Sequence, residues 1–300
     1  MFPRHLDTLL AIVDEGSFDA AAASLGVSAS AVSQRVKTLE AEIGRIVLRR
    51  TTPVSVTPAG EVLVQTARRM QLLEAEATMQ LGSALSAVPL SVVVNADSLG
   101  TWFRPVYAMS QEFMGPGLRL RLEDERHSLR LLQRGDCMGA VTTEETPVTG
   151  CQSEFLGYHR YLAVAAPSLA AQLQDGAYGW GNLPYVRFNK KDTLEVEYLR
   201  RHRGEVQISP NRRETHVPYF DGINDAVAAG LGWAVVPESA CRPHIERGEF
   251  VVLDGRLPTT KSQPNWLDVP LYWQRWKVES ELLEKLTDAI HAAAAQNLHG

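Results

Sequence analysis

Residues 16–60 constrain the fold of this 300-residue chain more than any other stretch, because they combine two short helical patterns, a tight turn and a basic hairpin. The Ala-rich segment 19–25 favours a helix whose small side chains allow close packing. Gly26 can adopt the left-handed conformation that ends a helix. Ser28 is a favourable N-cap residue, so a second helix is predicted over about 29–42.

The second predicted helix has two faces. One stripe at the helical period is apolar and indicates the buried side; it comprises Val32, Val36, Leu39 and Ile43. The opposite stripe carries short hydroxyls, an amide and a lysine, which suit base edges and phosphates in a DNA major groove. An ordinary solvated face explains this stripe equally well when the helix is taken alone. The helix–turn–helix spacing and the hairpin favour DNA binding, through Ser28, Ser30, Ser33, Gln34, Arg35, Lys37, Arg49, Arg50 and Thr51.

This stretch resembles the winged helix–turn–helix of LysR-type transcriptional regulators. The match covers the whole N-terminal domain in the right order, in the residues Gly16-Ser17-Phe18, Ala21-Ala22, Leu25, Val27-Ser28, Ser30-Ala31-Val32-Ser33-Gln34, Lys37, Leu39-Glu40, Gly44, Leu48, Arg50 and Thr57-Pro58-Ala59-Gly60. Positions 47–50 depart from the family, which usually has an aromatic and an acidic residue before the arginine. The loss of the acid favours phosphate contact here.

The net charge of the chain is -5, so its basic charge is local and the chain is not a polybasic nucleic-acid coat. Between residues 35 and 50, five cations face two acids, which suits specific more than indiscriminate DNA binding. A chain of this length is expected to form about two domains. Its hydrophobic content of 45% is enough for ordinary packed cores.

Cys137, Cys151 and Cys241 are scattered and lack the CxxC spacing of a zinc site or a disulfide framework. They are expected to be core or surface thiols, and neither a metal nor a cofactor is predicted. The N-terminus has no apolar signal segment, and no run is long enough to cross a bilayer. The sequence therefore predicts a soluble cytoplasmic protein without a membrane partner.

A long helix is predicted over residues 59–87, with Thr57 as N-cap and Pro58 in the first helical position. A seam at alternating three- and four-residue spacing is interrupted by Glu74 alone; it comprises Leu63, Ala67, Met70, Ala77, Leu81 and Ala84. Such a helix needs a partner, either its own domain or the same helix of a second copy. The family resemblance implies a homodimer through this helix, a pseudo-palindromic DNA site and a tetramer built from two dimers.

From residue 90 the pattern alternates between strands and helices, which predicts a doubly wound α/β sheet. The predicted strands are 90–95, 118–123, 138–142, 161–166, 185–188, 216–219, 233–236 and 270–276, and the predicted helices are 98–113, 127–134, 221–229 and 279–295. The fold class is α/β multidomain, with a winged helix–turn–helix (1–58), a linker and dimerisation helix (59–88) and an effector-binding domain (89–300). As in the family, this last domain is expected to resemble a two-lobed periplasmic binding protein, with lobe I at about 89–157 and 268–300 and lobe II at about 158–267.

A two-lobed α/β domain binds small molecules at the carboxyl ends of its strands, beside helix N-termini. Polar groups at such places are Asp97, Ser98, Thr101, Glu123, Asp124, His127, Ser128 and Thr142, with Tyr219, Phe220 and Asp221 in the other lobe. The carboxylates favour a cation over an acidic ligand, because unpaired buried carboxylates are costly. We therefore expect a basic amino acid, with its α-carboxylate near Ser98 and its side-chain cation at an acid. Helix capping by Asp97 and a solvated turn at 123–125 are the alternative.

A second resemblance is to the lysine- and arginine-responsive branch of LysR-type regulators, the ArgP/LysG branch. It runs almost from end to end and rests on Asn95-Ala96-Asp97-Ser98, Thr101-Trp102-Phe103, Leu122-Glu123-Asp124, His127, Gly139-Ala140-Val141-Thr142, Gly150-Cys151, Gly230-Leu231-Gly232-Trp233 and Tyr272-Trp273-Gln274. It implies a transcriptional activator of a basic amino acid exporter gene, with lysine or arginine as effector and RNA polymerase as a partner. The charged segment 189–213 matches this branch least, and the choice between lysine and arginine is open.

Two other classes of function are weighed against a regulator with an effector. An enzyme is disfavoured, since Gly230 and Gly232 lack the third glycine of a dinucleotide loop and no nucleophile elbow is present. Asp124, His127 and Ser128 are neighbours on one turn, and such neighbours rarely form a catalytic triad. An architectural, chromosome initiation inhibitor-like DNA-binding protein without an amino-acid effector is the alternative.

Overall fold

The computed structural model describes residues 3–80, 90–113, 117–123, 125–253 and 265–300. Its helices are α1 (Pro3–Glu15), α2 (Phe18–Leu25), α3 (Ala29–Ile43), α4 (Pro58–Gln80), α5 (Ala96–Gly100), α6 (Arg104–Ser110), α7 (Glu125–Arg134), α8 (Pro167–Gln174), α9 (Leu194–Arg203), α10 (Phe220–Ala228), α11 (Glu238–Glu246) and α12 (Glu281–Asn297). Its strands are β1 (Leu48–Arg49), β2 (Ser55–Val56), β3 (Leu90–Val94), β4 (Leu118–Leu122), β5 (Gly139–Thr142), β6 (Cys151–Ala165), β7 (Tyr185–Arg187), β8 (Glu214–His216), β9 (Ala234–Pro237), β10 (Val251–Val252) and β11 (Trp266–Trp276).

The described residues pack as two units. The first unit holds those in 1–94, 110–154 and 273–288, and the second unit holds those in 95–109, 155–272 and 289–300. Strands β6 and β11 contribute residues to both units. The domain and lobe boundaries expected from the sequence stay a prediction.

Helices α2 and α3 form the predicted helix–turn–helix, because each begins at a serine cap and ends at a left-handed glycine. The hydroxyls of Ser17 and Ser28 each accept a hydrogen bond from a backbone N–H of the first turn, at 3.1 and 3.2 Å. Gly26 ends α2 with φ 64°, and Gly44 ends α3 with φ 71°. The two predicted helices agree with α2 and α3 to within one residue at each end.

The apolar stripe of α3 is buried in the N-terminal core, as predicted. Val32, Val36 and Leu39 are at most 2% exposed, and Ile43 is partly buried at the edge of the core. Other members of this core are Leu6, Leu9, Leu10, Ile12, Ala21, Ala22, Val47, Leu48, Val64 and Ala67. Since the apolar stripe is covered, α3 presents its polar stripe to solvent.

A two-stranded hairpin follows α3, as the sequence predicts. Strands β1 and β2 pair antiparallel, with Leu48 opposite Val56. Glu40 ties the hairpin to α3, because its Oε1 accepts a hydrogen bond from Val47 N at 2.9 Å. The hairpin is therefore held against the helix that precedes it.

Helix α4 begins directly after the hairpin, with the predicted cap. The Thr57 hydroxyl donates to Ile46 O at 2.7 Å and accepts a hydrogen bond from Gly60 N at 3.1 Å. A Cβ on Gly60 would lie 2.1 Å from Val47 O. Only glycine therefore lets α4 approach the hairpin backbone this closely.

The predicted seam of α4 has its first residues in the N-terminal core. Ala67 is buried there, and Leu63 is partly buried against the same core. Part of the seam thus packs on its own domain, which is one of the two partners that the sequence left open for this helix. Met70 is 42% exposed, and Ala77 is exposed. The last two residues of the predicted seam, Leu81 and Ala84, lie outside the described residues.

The sheet of the first unit is parallel in β3, β4 and β5, as the doubly wound pattern predicts. Strand β3 lies between β4 and β5, and Leu90 is opposite Leu118. The 273–276 end of β11 lies beside β5, where Trp276 N donates to Met138 O at 3.1 Å. The parallel order places the carboxyl ends of β3, β4 and β5 at one edge of this sheet.

In the second unit, strand β6 pairs antiparallel with β9 and β10, and β7 pairs parallel with β8. Strand β6 begins at Cys151, well before the predicted start at 161. Strand β8 ends at His216, where the sequence predicted a strand over 216–219. That prediction is wrong, and the reason is Pro218, which has no N–H to donate to a strand ladder.

The single helix predicted over 98–113 is also wrong, since the structure has the two short helices α5 and α6. The side chain of Asn95 caps α5 and accepts a hydrogen bond from Ser98 N at 2.8 Å, so Asp97 is not the cap. Thr101 then leaves the helical region, and the neighbouring Trp102 is 2% exposed. Burial of this large side chain in the turn competes with the continuation of the helix.

Helix α9 lies in the charged segment 189–213, where apolar periodicity is weak and no helix was predicted. Its Glu195 is 1% exposed and accepts hydrogen bonds from Arg187, at 2.8 Å, and from Arg212. Both guanidinium groups lie over the ring of Tyr185, at 5.2 and 5.4 Å from its centroid. The buried charges of this segment are paired internally, which an apolar pattern cannot reveal. Helices α8 and α11 and strand β10 were not predicted from the sequence either.

The three cysteines are buried thiols. Burial raises the pKa of Cys151 to about 11 and that of Cys241 to about 12. Within the described ranges, we find no helix with the length and hydropathy that a membrane crossing requires.

We expect Gly60→Ala to destabilise the chain by about 1–3 kcal/mol, the usual cost of overpacking. The added methyl group meets the carbonyl of Val47, which is backbone and cannot rotate away. The measurement is the urea midpoint of unfolding, with Gly179→Ala as control, because a Cβ on Gly179 has its nearest neighbour at 3.9 Å. Equal midpoints for the two variants would contradict this packing of α4 on the hairpin.

Candidate functional site

The exposed face of α3 carries polar groups that the sequence assigns to DNA. Ser30, Gln34 and Lys37 are exposed, and Ser33 is partly exposed. Ser28 is exposed as well, but its hydroxyl already caps α3 and lies 2.9 Å from the hydroxyl of Ser30. The amide of Gln34 and the ammonium of Lys37 therefore face solvent as the groups suited to base edges and phosphates.

The hairpin adds cations beside this face. Arg50 Nη2 donates to Ser33 Oγ at 3.3 Å, and its guanidinium lies over the ring of Phe18 at 5.0 Å from the centroid. Arg49 is exposed on β1. The Thr51 hydroxyl donates to a carbonyl within the hairpin turn at 2.7 Å. The hairpin and α3 thus form one surface, in which arginines suited to phosphates lie next to a helix face suited to bases.

Arg35 differs from the other predicted DNA contacts because its guanidinium is bonded to another helix. Its Nη1 donates to Thr8 Oγ1 of α1 at 3.3 Å, and Thr8 is fully buried. This hydrogen bond ties α3 to α1. The contribution of Arg35 to DNA binding stays a prediction.

In the second unit, Asp97 belongs to a set of hydrogen bonds, which we call the Asp97 network, with Tyr161, His159 and Thr101. The Tyr161 hydroxyl donates to Asp97 Oδ2 at 2.9 Å and lies 3.3 Å from His159 Nδ1. His159 Nε2 lies 3.3 Å from Thr101 Oγ1, and that hydroxyl donates to the backbone carbonyl of Asp97. Strand β6 supplies Tyr161 and His159 to one face, because side chains two residues apart in a strand point the same way.

The Asp97 network has four contacts and three hydrogens to fill them. Tyr161 and Thr101 have one hydroxyl hydrogen each, and a neutral imidazole has one N–H. Burial, followed by the like charge of His299, lowers the pKa of His159 to about 3, so this imidazole is neutral near pH 7. One contact in the network therefore lacks a hydrogen.

Ser98 is fully buried in α5, and its hydroxyl has no hydrogen-bond partner among the described residues. Its backbone N–H is already bonded to Asn95. An unpaired buried hydroxyl costs free energy, and a ligand atom at this place would remove that cost. Phe220 covers the end of the same helix, since a Cβ on Gly100 would lie 2.5 Å from its ring.

Tyr219 and Asp221 flank Phe220 and are both exposed. The Tyr219 hydroxyl donates to Asp221 Oδ2 at 3.1 Å, and this bond raises the pKa of Tyr219. Of these three predicted residues, Phe220 is therefore the one that packs on α5.

The other predicted effector residues belong to the first unit. Glu123 is exposed, which agrees with the solvated turn of the alternative interpretation. Ser128 and Thr142 are buried, and Thr142 Oγ1 accepts a hydrogen bond from Glu144 N at 3.2 Å. Outside the described residues lie Asp124 and the side chain of His127.

His159 and Tyr161 are the site residues that the sequence analysis did not identify. A signal was present, since two polar aromatic residues at a spacing of two fall on one face of the strand. That signal does not indicate which residue the two side chains contact. Only the fold shows that β6 brings both side chains to Asp97.

Two family models match the chain. The model of bacterial regulatory helix-turn-helix proteins of the lysR family matches residues 3–61. The model of the LysR substrate binding domain matches residues 90–295. Together the two models account for most of the sequence.

Full-length proteins are similar to the chain from end to end. The lysine export transcriptional regulatory protein LysG of Corynebacterium glutamicum is 48% identical over 300 residues, with 99% of both chains covered. The structure of full-length LysG from Corynebacterium glutamicum with bound effector Arg has a TM-score of 0.81 at 46% identity and covers 100% of both chains. The crystal structure of ArgP from Mycobacterium tuberculosis has a TM-score of 0.83 at 37% identity and covers 99% of this chain and 98% of that one.

We expect Gln34→Ala to weaken binding to the preferred DNA sequence by about 1–3 kcal/mol and to leave binding to random DNA nearly unchanged, because this amide suits a base edge. Arg50→Ala is expected to weaken both kinds of binding and to reduce the salt slope by about 1. Gln34 gives a cleaner test than Ser33, since Ser33→Ala also removes the hydrogen bond to Arg50.

The preferred sequence is selected from a random pool with the unmodified protein, and affinities are measured by fluorescence anisotropy at several salt concentrations. Gln174→Ala, at an exposed glutamine of α8, is the matched control. Equal losses of Gln34→Ala on selected and random DNA would rule out a base contact by Gln34.

Stability should fall in acid because of His159. The unfolded chain takes up a proton near the ordinary histidine pKa of 6.5, whereas the folded chain does so only near 3, so the free energy of unfolding decreases as the pH drops through this window. We expect His159→Gln to reduce this slope by up to about 1.4 kcal/mol per pH unit. Urea unfolding at several pH values between about 3 and 6.5 measures how the free energy of unfolding depends on pH. The same slope in His159→Gln and in the unmodified chain would contradict a buried neutral imidazole.

Proposed function

Because the chain belongs to the LysR family of bacterial regulatory helix-turn-helix proteins, we propose that it binds double-stranded DNA as a transcriptional regulator and senses a basic amino acid. The observation that carries the sensing half is the Asp97 network, in which the four contacts that join Asp97, Tyr161, His159 and Thr101 share three hydrogens. The exposed face of α3 and the arginines of the hairpin support the DNA-binding half.

The Asp97 network favours a cationic ligand. An ammonium or guanidinium group that donates to Asp97 frees the Tyr161 hydroxyl hydrogen for His159 Nδ1. His159 Nε2–H then donates to Thr101, and the ligand hydrogen on Asp97 replaces that of Tyr161, so each acceptor of the network receives a hydrogen. An anionic ligand would instead meet a carboxylate, and burying two like charges together is costly.

We assign the α-carboxylate of the effector to the hydroxyl of Ser98. This buried donor has no partner among the described residues, and a carboxylate oxygen would accept its hydrogen. The sequence alone suggested Ser98 and the backbone N–H groups after it as the donors to this carboxylate. Since Asn95 already accepts from Ser98 N, the hydroxyl is the better donor.

The relatives narrow the choice of effector. The similar LysG protein of Corynebacterium glutamicum is a regulator of lysine export, and its solved structure holds arginine as effector. We propose that lysine or arginine is the effector of this chain. By the same analogy, it activates transcription of a basic amino acid exporter gene, with RNA polymerase as a partner.

Helix α4 is the proposed dimer interface. Val62, Met70 and Leu73 are exposed by 61%, 42% and 45%, and their spacing places them on one side of the helix. The same helix of a second copy would cover this side. Leu63 and Ala67 already pack in the N-terminal core, so the proposed interface lies beside the seam expected from the sequence. Two DNA-binding modules per dimer, and two dimers per tetramer, suit a pseudo-palindromic site.

Regulation then follows from a shift between two arrangements of the oligomer on DNA. An effector changes the populations only by binding one arrangement more tightly than the other. A difference of a few kcal/mol in this binding is enough to switch the dominant arrangement. Such a switch changes the spacing of the bound half-sites and the bend of the DNA.

Calorimetric titration of the full chain tests the sensing half with lysine, arginine, citrulline, norleucine and glutamate. Citrulline and norleucine lack the side-chain cation, so we expect selective binding of lysine or arginine. Asp97→Asn should weaken that binding at least about tenfold, which is the effect of one lost hydrogen bond to a charged group. Glu123→Gln is the matched control, because Glu123 is an exposed carboxylate.

The outcomes separate the competing functions. Unchanged lysine or arginine affinity in Asp97→Asn would remove Asp97 from the site. Equal binding of norleucine would rule out recognition of the cation. Binding of none of the five amino acids, with DNA binding intact and low sequence discrimination, would favour the architectural protein.

A further inference from the structure

A cavity of about 60 Å³ in the first unit lies between the linker helix and the parallel sheet. Helix α4 contributes Arg68 and Gln71, β3 contributes Ser91, and β4 contributes Arg119 and Arg121. The turn 135–138, between α7 and β5, completes the wall. None of these residues belongs to the Asp97 network or to the DNA-binding face.

The register of the strands explains why these donors converge. Ser91 is opposite Arg119 in the parallel pair of β3 and β4, and Arg121 follows two residues later. Alternation in a strand therefore points all three side chains to one face of the sheet. Arg68 and Gln71 are three residues apart, so they share one side of α4.

Positive charge exceeds negative charge around this cavity. The cations are Arg68, Arg119, Arg121 and Arg134, and the acids are Asp14 and Asp136. Arg68 is paired with Asp14. Among the described residues, Arg119 and Arg121 have no carboxylate within 4.0 Å. A chain with a net charge of -5 thus concentrates arginines at this place, of which Arg119 is exposed and Arg121 is partly exposed.

A second, independent observation is the hydroxyl of Ser91. Its Oγ is buried and has no hydrogen-bond partner in the part of the chain that the structure describes. The backbone of Ser91 is satisfied, because its carbonyl accepts from Met138 N at 2.8 Å. Ser91 therefore adds an unused neutral donor to the residues that line the cavity.

We propose that this cavity binds a small tetrahedral oxyanion, of the phosphate or sulfate type, between Arg119, Arg121 and Ser91. Guanidinium groups match the oxygen edges of such anions with paired N–H donors. The hydroxyl of Ser91 adds a third hydrogen-bond donor to those of the two arginines. The cavity volume of about 60 Å³ suits a small inorganic ion.

The position of the site gives the bound anion a structural effect. Gln65 of α4 donates to Gln133 O, and a Cβ on Gly135 would lie 3.1 Å from Gln65 Cα, so α4 is docked on the turn beside the cavity. An anion held by β4 also attracts Arg68 of α4. It therefore stabilises the docking of the linker helix on the sheet and raises the thermal stability of the chain by mass action.

The test titrates the full chain, without DNA or amino acid, with sodium phosphate and then with sodium sulfate at ionic strength held constant by sodium chloride. Calorimetry measures binding, and thermal unfolding measures stabilisation. We expect one saturable site per chain and a higher Tm with either anion than with chloride alone. Arg121→Gln should weaken binding about tenfold, and Ser91→Ala about threefold. Arg242→Gln, at an exposed arginine of α11, should bind like the unmodified chain.

Near-ultraviolet circular dichroism in chloride buffer checks that each variant is folded, and Ser91→Ala keeps the test valid if Arg121→Gln unfolds. Saturable binding that is lost in Arg121→Gln and Ser91→Ala but kept in Arg242→Gln supports the site. The absence of saturable binding of both anions would overturn it. Equal binding by all variants, or an equal loss in Arg242→Gln, would overturn it as well.

Discussion

Helix α4 has to pack against two neighbours at once, and the arrangement of the first unit depends on this constraint. Val64 and Ala67 are buried in the N-terminal core. Gln65, on another side of the helix, donates to Gln133 O, and Gly135 permits the close approach. Because one helix meets both neighbours, the DNA-binding helices and the parallel sheet are joined by packed contacts as well as by the chain itself.

The two proposed ligand sites depend on the same physical principle, which is an incomplete balance of hydrogens or charges among neighbouring groups. The contacts of the Asp97 network share too few hydrogens, and a cationic donor supplies the missing one. Arg119 and Arg121 have no carboxylate within 4.0 Å in the described part of the chain, and their positive charge favours an anion. Glu195 and Arg212 give the contrast, since they are buried and paired with each other and need no ligand.

Predictions from the sequence succeeded where the determining interactions are local. The caps at Ser28 and Gly26 and the apolar stripe of α3 involve neighbours within about one turn, so the helix–turn–helix was predicted to within a residue. The helix expected over 98–113 failed because the cap at Asn95 and the burial of Trp102 divide it. Helix α9 was missed because its buried charges pair with residues on other elements and leave no apolar period.

The sequence by itself determined the family, the helix–turn–helix with its exposed polar face, and the parallel α/β pattern, because caps, periodicities and motifs depend on residues close together in the chain. Only the tertiary structure decided which predicted carboxylate lies in a buried hydrogen-bond network. Asp97 meets Tyr161 across 64 positions of sequence, whereas Glu123 is exposed to water. Burial and the supply of hydrogens depend on contacts through space, and no local pattern encodes them.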